Sequence, residues 1–160
     1  MTLKINREMF LMTFAADADY HTNLEGQQTY LDRTSGLLLY TVTDSWRVAI
    51  EMGEEAMEDY LESTSLVRAD PESYLLVPSM SHAEHHSVMR DFVASEWCPD
   101  SGRRHHASES YYSRKSIGYW LKNVCDDGAV EGYFSFRAVR SVQLAESFLL
   151  KNGVKDFRWR

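Results

Sequence analysis

Between Val130 and Lys151 apolar residues return at steps of three and four: Val130, Phe134, Val142, Ala145 and Leu149, with Val139, Phe148 and Leu150 beside them. That period belongs to an amphipathic helix and not to a strand. Glu131, Arg137, Arg140, Gln143, Glu146 and Lys151 fill much of the other side, and Asn152-Gly153 offers the left-handed backbone at which helices stop. The helix is therefore expected to end near Lys151. Ile117, Trp120, Leu121 and Val124 make a matching stripe just upstream. The two stripes predict a helical pair joined at Asp126-Asp127-Gly128 and packed at the centre of the core. Each fully buried large side chain there contributes about 1.5–3 kcal/mol.

The rest of the chain alternates helical and strand patterns. Asn6 is placed to cap a helix carrying Met9, Phe10, Leu11, Met12, Phe14 and Ala15, which should reach about Ala16. A polar loop from Asp17 to Gly26 follows. Residues 28–33 and 37–42, β-branched and aromatic around Thr34-Ser35-Gly36, predict an antiparallel hairpin with Gly36 at positive φ. Trp46 to Leu61 reads as one helix, with Trp46, Ile50, Met57 and Leu61 along one side. Tyr74 to Val77, between Asp70-Pro71 and Pro78, is short and apolar enough for a third strand beside the hairpin. Ser79 or Ser81 caps a helix holding Val88, Met89, Phe92 and Val93 as far as about Glu96. A loop at Pro99 to Gly102 and a polar segment to Ser113, read as a short helix, lead into the helical pair. The predicted class is α+β: a small antiparallel sheet, hairpin plus third strand, packed with about five helices. No repeat, biased segment or long linker divides the chain, so residues 1–160 are expected to form a single domain.

Composition changes this picture little, whereas charge changes it more. A chain of 160 residues buries about 70% of its unfolded surface and needs no staple. It has no apolar run long enough to span a membrane and no signal segment at its start, which suggests a cytoplasmic protein of bacterial style. Cys98 and Cys125 form no Cys-x-x-Cys motif and read as buried or half-buried thiols. The net charge of −7 is uneven: residues 1–75 hold 5 Lys/Arg against 14 Asp/Glu, and residues 76–160 hold 12 against 10. An acidic front half repels a nucleic-acid backbone and suits a basic protein partner. Glu51, Glu54, Glu55, Glu58 and Glu62 recur at three- and four-residue steps, giving either a docking face for such a partner or the solvated side of an amphipathic helix, the commoner case.

The helix, the hairpin reading Tyr30-Leu31-Asp32 through Ser35-Gly36, the acidic segment, Tyr74 through Pro78, and Tyr133-Phe134-Ser135-Phe136-Arg137 together resemble a bacterial family of uncharacterised proteins, from about residue 5 to residue 154. The resemblance implies a fold and no activity. Function has to be argued from sites.

Candidate chemistry is sparse. His82 and His86 lie one helical turn apart and could share a metal, completed by Glu84, Asp91, His105 or His106. Solvent-exposed histidines at a polar helix start are the commoner outcome of such a pattern. There is no Gly-x-Ser-x-Gly elbow, no phosphate-binding glycine loop and no dinucleotide fingerprint. Asp126-Asp127 fits the start of a helix, where negative charge offsets the dipole. Three expectations follow in order. First is a non-enzymatic protein-interaction or regulatory module without a cofactor, using the glutamate stripe and Arg137 and Arg140. Second is a metal-binding protein or metal-dependent hydrolase built on the histidines. Third is a nucleic-acid binder using Arg137, Arg140, Lys155, Arg158, Trp159 and Arg160, made less favourable by net acidity. At least one of the two helical arginines is expected to be structural, tying the last helix to the N-terminal half by an ion pair.

Overall fold

The computed structural model describes residues 1–16, 26–43, 45–98 and 127–160, and within them all side chains except those of residues 45–47, 82, 127 and 129. These residues form strand β1 (Leu3–Ile5), helix α1 (Arg7–Phe14), strands β2 (Gln28–Asp32) and β3 (Leu38–Thr41), helices α2 (Ser45–Met52) and α3 (Glu54–Ala69), a 3-10 turn (Pro71–Ser73), strand β4 (Tyr74–Val77), helices α4 (His82–Ala94) and α5 (Asp127–Lys151), and strand β5 (Phe157–Trp159). The class is α+β, as expected. The described chain divides into two compact units, Met1–Ser79 with Ala145–Arg160, and Met80–Leu144.

In the first unit the hairpin forms as the turn chemistry requires. β2 and β3 pair antiparallel from Gln28↔Thr41 to Leu31↔Leu38, and Gly36 sits at φ 77. Asp32 organises the turn: its carboxylate accepts from the Thr34 amide at 2.7 Å and from the Ser35 hydroxyl at 2.7 Å, while its carbonyl accepts from the Gly36 amide at 2.9 Å. Partial burial pushes the Asp32 carboxyl up, but the bonds from Ser35 and Thr34 outweigh it and leave the group below its ordinary value. β4 adds antiparallel to the other side of β2, giving the order β3-β2-β4. Thr29, Leu31, Leu75 and Val77 are buried, and the Thr13 hydroxyl of α1 meets that of Thr29 at 2.9 Å, so neither buried oxygen lacks a partner.

Asn6 caps α1, its side chain accepting from the Met9 amide at 2.9 Å. The helix buries Phe10 and Phe14 and leaves Met12 exposed. Phe10 lies 5.8 Å from Phe14, 6.5 Å from Phe148 and 5.5 Å from Trp159, centroid to centroid. Ala145 and Leu149 of α5 are fully buried. α5 ends at Lys151 as expected: Gly153 takes φ 83, its amide donates to the Leu150 carbonyl at 3.1 Å, and the Val154 amide donates to Leu149 at 2.9 Å. That pair of bonds is the Schellman stop.

A second sheet was not foreseen. β1 and β5 pair in parallel, with Leu3↔Phe157, Lys4↔Arg158 and Ile5↔Trp159. Ile5 is fully buried, and the Trp159 indole donates to the Glu146 carboxylate at 2.9 Å.

In the second unit α4 begins with a complete capping box: Ser81 accepts from the Glu84 amide, and the Glu84 carboxylate accepts from the Ser81 amide at 2.6 Å. Met89, Phe92, Cys98 and Tyr133 form its buried cluster, with Val93 and Phe136 against it. Phe92 meets Tyr133 edge-on at 5.5 Å. Gly132 allows the Trp97 carbonyl to come within 2.9 Å of where a Cβ would stand.

Three expectations need correction. The segment from Trp46 to Leu61 is two helices, because Gly53 takes φ 95 and interrupts the ladder. Its expected apolar side is largely in solvent, Ile50 at 67% and Leu61 at 44% exposure, while Val48 and Val67 are buried. On α5 the expected stripe is also mixed: Phe134, Val139 and Leu150 are exposed, and Tyr133 and Ser141 are buried instead. The other helix of the expected pair, with Trp120, lies outside the described residues, as do the segments 17–25 and 99–113 and Cys125.

Candidate functional site

The candidate site is built on α2 and α3. Gly53 supplies the turn between them, with open space around the position of a Cβ. Glu54 and Glu55 then occupy the first turn of α3 and Arg68 the last, the arrangement that opposes the helix dipole at both ends. α3 turns Val67, Met57 and Tyr60 inward. Burial pushes the Tyr60 phenol up, and neighbouring Tyr40 of β3 raises it further; burial does the same to Tyr40. The two rings therefore mark where α3 meets the sheet.

The outward face of α3 is acidic. At 3.6 residues per turn, Glu54, Glu58, Glu62 and Glu55 fall within an arc of about 100°, with Leu61 and Leu66 at its margins. All four glutamates are exposed, as is Glu51 on α2, and Leu61 and Leu66 are 44% and 45% exposed. Ile50 and Met52 of α2, at 67% and 55%, continue the apolar exposure next to Glu51. Among the described residues none of the five glutamates forms an ion pair or a side-chain hydrogen bond. Like charges four apart, as at Glu54, Glu58 and Glu62, destabilise a helix by about 0.2–0.5 kcal/mol per pair. The stripe is thus retained at a cost to the helix itself, next to large apolar side chains that also gain nothing from solvent.

The other expected site residues are distributed elsewhere. Arg140 donates to the Asp91 carboxylate at 2.6 Å and lies over the Phe136 ring at 5.7 Å. It is engaged within the fold, but its partner is on α4 and not in the acidic first 75 residues, because α5 packs in that unit against α4, Tyr133 and Phe136 against Phe92. With side chains 36% and 50% exposed, such a pair is worth about 0–1 kcal/mol. Arg137 is half-buried three residues earlier. Of the nucleic-acid candidates, Trp159 is committed to Phe10 and Glu146, Arg158 is exposed opposite Lys4, and the Arg160 amide donates to the Ile5 carbonyl at 2.9 Å. The aromatic needed for base stacking is therefore occupied within the fold.

The histidine cluster is not assembled on the described residues: His86 is half-buried on α4, while the side chain of His82, and His105 and His106 altogether, lie outside them. Among the described residues no three His, Cys, Asp or Glu side chains come together to hold a metal. Among the described residues the buried histidine is His85, which sequence spacing did not single out. No helix among the described residues is long and apolar enough to cross a membrane.

Fold and surface define an α+β protein with an exposed helix, α3, whose acidic side chains pair with no cation among the described residues. The chain belongs to the uncharacterised protein family UPF0158, whose model matches residues 1–156. No curated protein and no solved structure matches it.

Proposed function

We propose that the protein is a non-enzymatic interaction module and that the outward face of α2 and α3 receives a basic, amphipathic segment of a protein partner. The observation that carries this reading is the combination along α3: carboxylates at Glu54, Glu55, Glu58 and Glu62 that pair with nothing among the described residues, flanked by exposed Leu61 and Leu66, with Glu51, Ile50 and Met52 also exposed on the preceding α2. A solvated helix side needs the first and not the second. Helix-in-groove and helix-on-face recognition uses both, apolar anchors for affinity and charge complementarity for encounter rate and register. Arg140, already paired, is left out of the docking surface. A single-domain organisation and a cytoplasmic location are part of the same proposal.

The test is direct binding of a synthetic helix-forming peptide with alternating lysine and leucine faces. Wild type is expected to bind it with an affinity that falls as salt rises. The Glu54→Gln/Glu58→Gln/Glu62→Gln protein should bind about tenfold more weakly, with a flatter salt dependence, since exposed charges act mainly on encounter. Leu61→Ala/Leu66→Ala should weaken binding with the salt slope intact. Equal binding by all three proteins would remove the acidic face from consideration.

A further inference from the structure

Beside the hairpin turn, within the first unit, lies an open groove of about 570 Å³ lined by Leu3, Arg33, Thr34, Gly153, Lys155 and Asp156, among others. Arg33 follows the turn-organising Asp32, and its backbone amide is fixed by the Ser73 carbonyl at 3.0 Å. Its side chain reaches the end of α5, where Nη1 donates to the Asn152 carbonyl at 2.7 Å. That is the guanidinium's one hydrogen bond among the described residues. Its Nε–H is buried without an acceptor, and no carboxylate of the described residues pairs with its charge. A half-buried guanidinium with one carbonyl acceptor for its five N–H donors, and no carboxylate beside it, keeps donor capacity and positive charge that an anion can take up.

The groove around it supplies what an anion needs and little else. Arg33, Lys155 and the Met1 ammonium bring three positive charges against the one carboxylate of Asp156, which the ammonium meets at 3.8 Å, in a unit whose first 75 residues are otherwise strongly acidic. The Thr34 hydroxyl has no protein partner among the described residues. Gly153, held at φ 83 by the helix stop, carries no side chain, and a Cβ there would come 4.0 Å from the Arg33 Nη1. The wall beside the guanidinium is thereby left open.

We infer that this groove is an anion site taking a phosphate group, either free or carried on a small molecule, with Arg33 and Lys155 as its cationic contacts and Thr34 as a hydroxyl donor. A tetrahedral phosphate offers more acceptor oxygens than a carboxylate, which suits a groove lined by a guanidinium, an ammonium and a hydroxyl. The site is independent of the acidic face of α3: one attracts anions, the other cations, and either can fail without the other.

The test is calorimetric titration of the full chain with inorganic phosphate and, separately, glycerol 3-phosphate, at constant ionic strength and with acetate as the control anion. Saturable binding is expected for at least one phosphate species. Tighter binding of the ester assigns a carried phosphate, and equal or tighter binding of the inorganic ion assigns the free one. Arg33→Met and Lys155→Met should each weaken binding about tenfold or more, as expected for losing a charge-assisted bond. Because Arg33 also holds the end of α5, Lys155→Met and Thr34→Val decide the matter should Arg33→Met not fold. No saturable phosphate binding, acetate binding as tight as phosphate, or affinity unchanged in Lys155→Met and Thr34→Val would overturn the inference.

Discussion

Phe10→Ala is expected to destabilise the protein by about 3–5 kcal/mol, read as a lowered midpoint in urea denaturation followed by tryptophan fluorescence. Phe10 is fully buried and touches three other aromatic rings, Phe14 from its own helix, Phe148 from α5 and Trp159 from β5. Truncating it removes the transfer free energy of a benzyl group and leaves a cavity that cannot collapse. The walls belong to two helices and a strand, each fixed by its own hydrogen bonds. Met12, two residues along the same helix, is 64% exposed, and Met12→Ala should stay within about 0.5 kcal/mol. A loss below about 1 kcal/mol for Phe10→Ala would mean that the aromatic cluster is not the core of its unit.

Gly36→Ala is expected to cost about 2 kcal/mol or more, for two reasons that add. At φ 77 any side chain meets the left-handed penalty of about 1–2 kcal/mol. A Cβ would in addition stand 2.9 Å from the Lys4 carbonyl oxygen, a backbone atom held in β1 by its pairing with β5. Backbone cannot rotate away as a side-chain tip does. Gly53 also has positive φ, at 95 with ψ 169, a region that side chains avoid more strongly than the left-handed one, but nothing lies within 4 Å of its missing Cβ. Gly53→Ala is therefore expected to be costly through backbone conformation alone. A loss below about 1 kcal/mol for Gly36→Ala would mean that the hairpin turn does not rest on β1.

The contrast between these glycines bears on what the sequence could reveal. Turn chemistry is local, so Asp32 through Gly36 announce the hairpin and the sign of φ at Gly36 from the sequence itself. Asn6 and the Asn152-Gly153 stop were legible for the same reason, and the α4 cap was narrowed to Ser79 or Ser81, of which Ser81 serves: each cap is made within a few residues of itself. The β1–β5 pair was not legible, because Leu3–Ile5 and Phe157–Trp159 are three residues each, lie at opposite ends of the chain and derive their strand character only from one another. For that reason Arg158 and Trp159 read as a basic, aromatic tail when they are the edge of a sheet. The break at Gly53 did carry a signal, an isolated glycine inside a helical pattern, but periodicity on both sides concealed it. Three- and four-residue spacing also misplaced the buried faces of α3 and α5. Apolar residues fill much of both helices, and neighbours that the pattern does not encode select which side is covered.

Of the candidate site, the exposure of the five glutamates was legible and their company was not. The same spacing that placed Glu54, Glu58 and Glu62 together assigned Ile50 and Leu61 to the core, whereas both stand in solvent next to the acids. An ordinary amphipathic helix thus becomes a surface with anchors and charges on one side. Arg33 was passed over because a single arginine in a turn has no pattern. Its significance comes from the end of α5, about 120 residues later, reaching back to take one of its donors while its Nε–H stays buried without an acceptor.

The most direct measurement of the interaction surface is amide NMR of the full-length protein titrated with the basic amphipathic peptide. Chemical-shift changes should be confined to residues 50–66, largest at Glu54, Glu58, Leu61, Glu62 and Leu66, and should fade as salt is raised. Shifts spread over both units, or centred on residues outside α2 and α3, would contradict the acidic helix as the docking face.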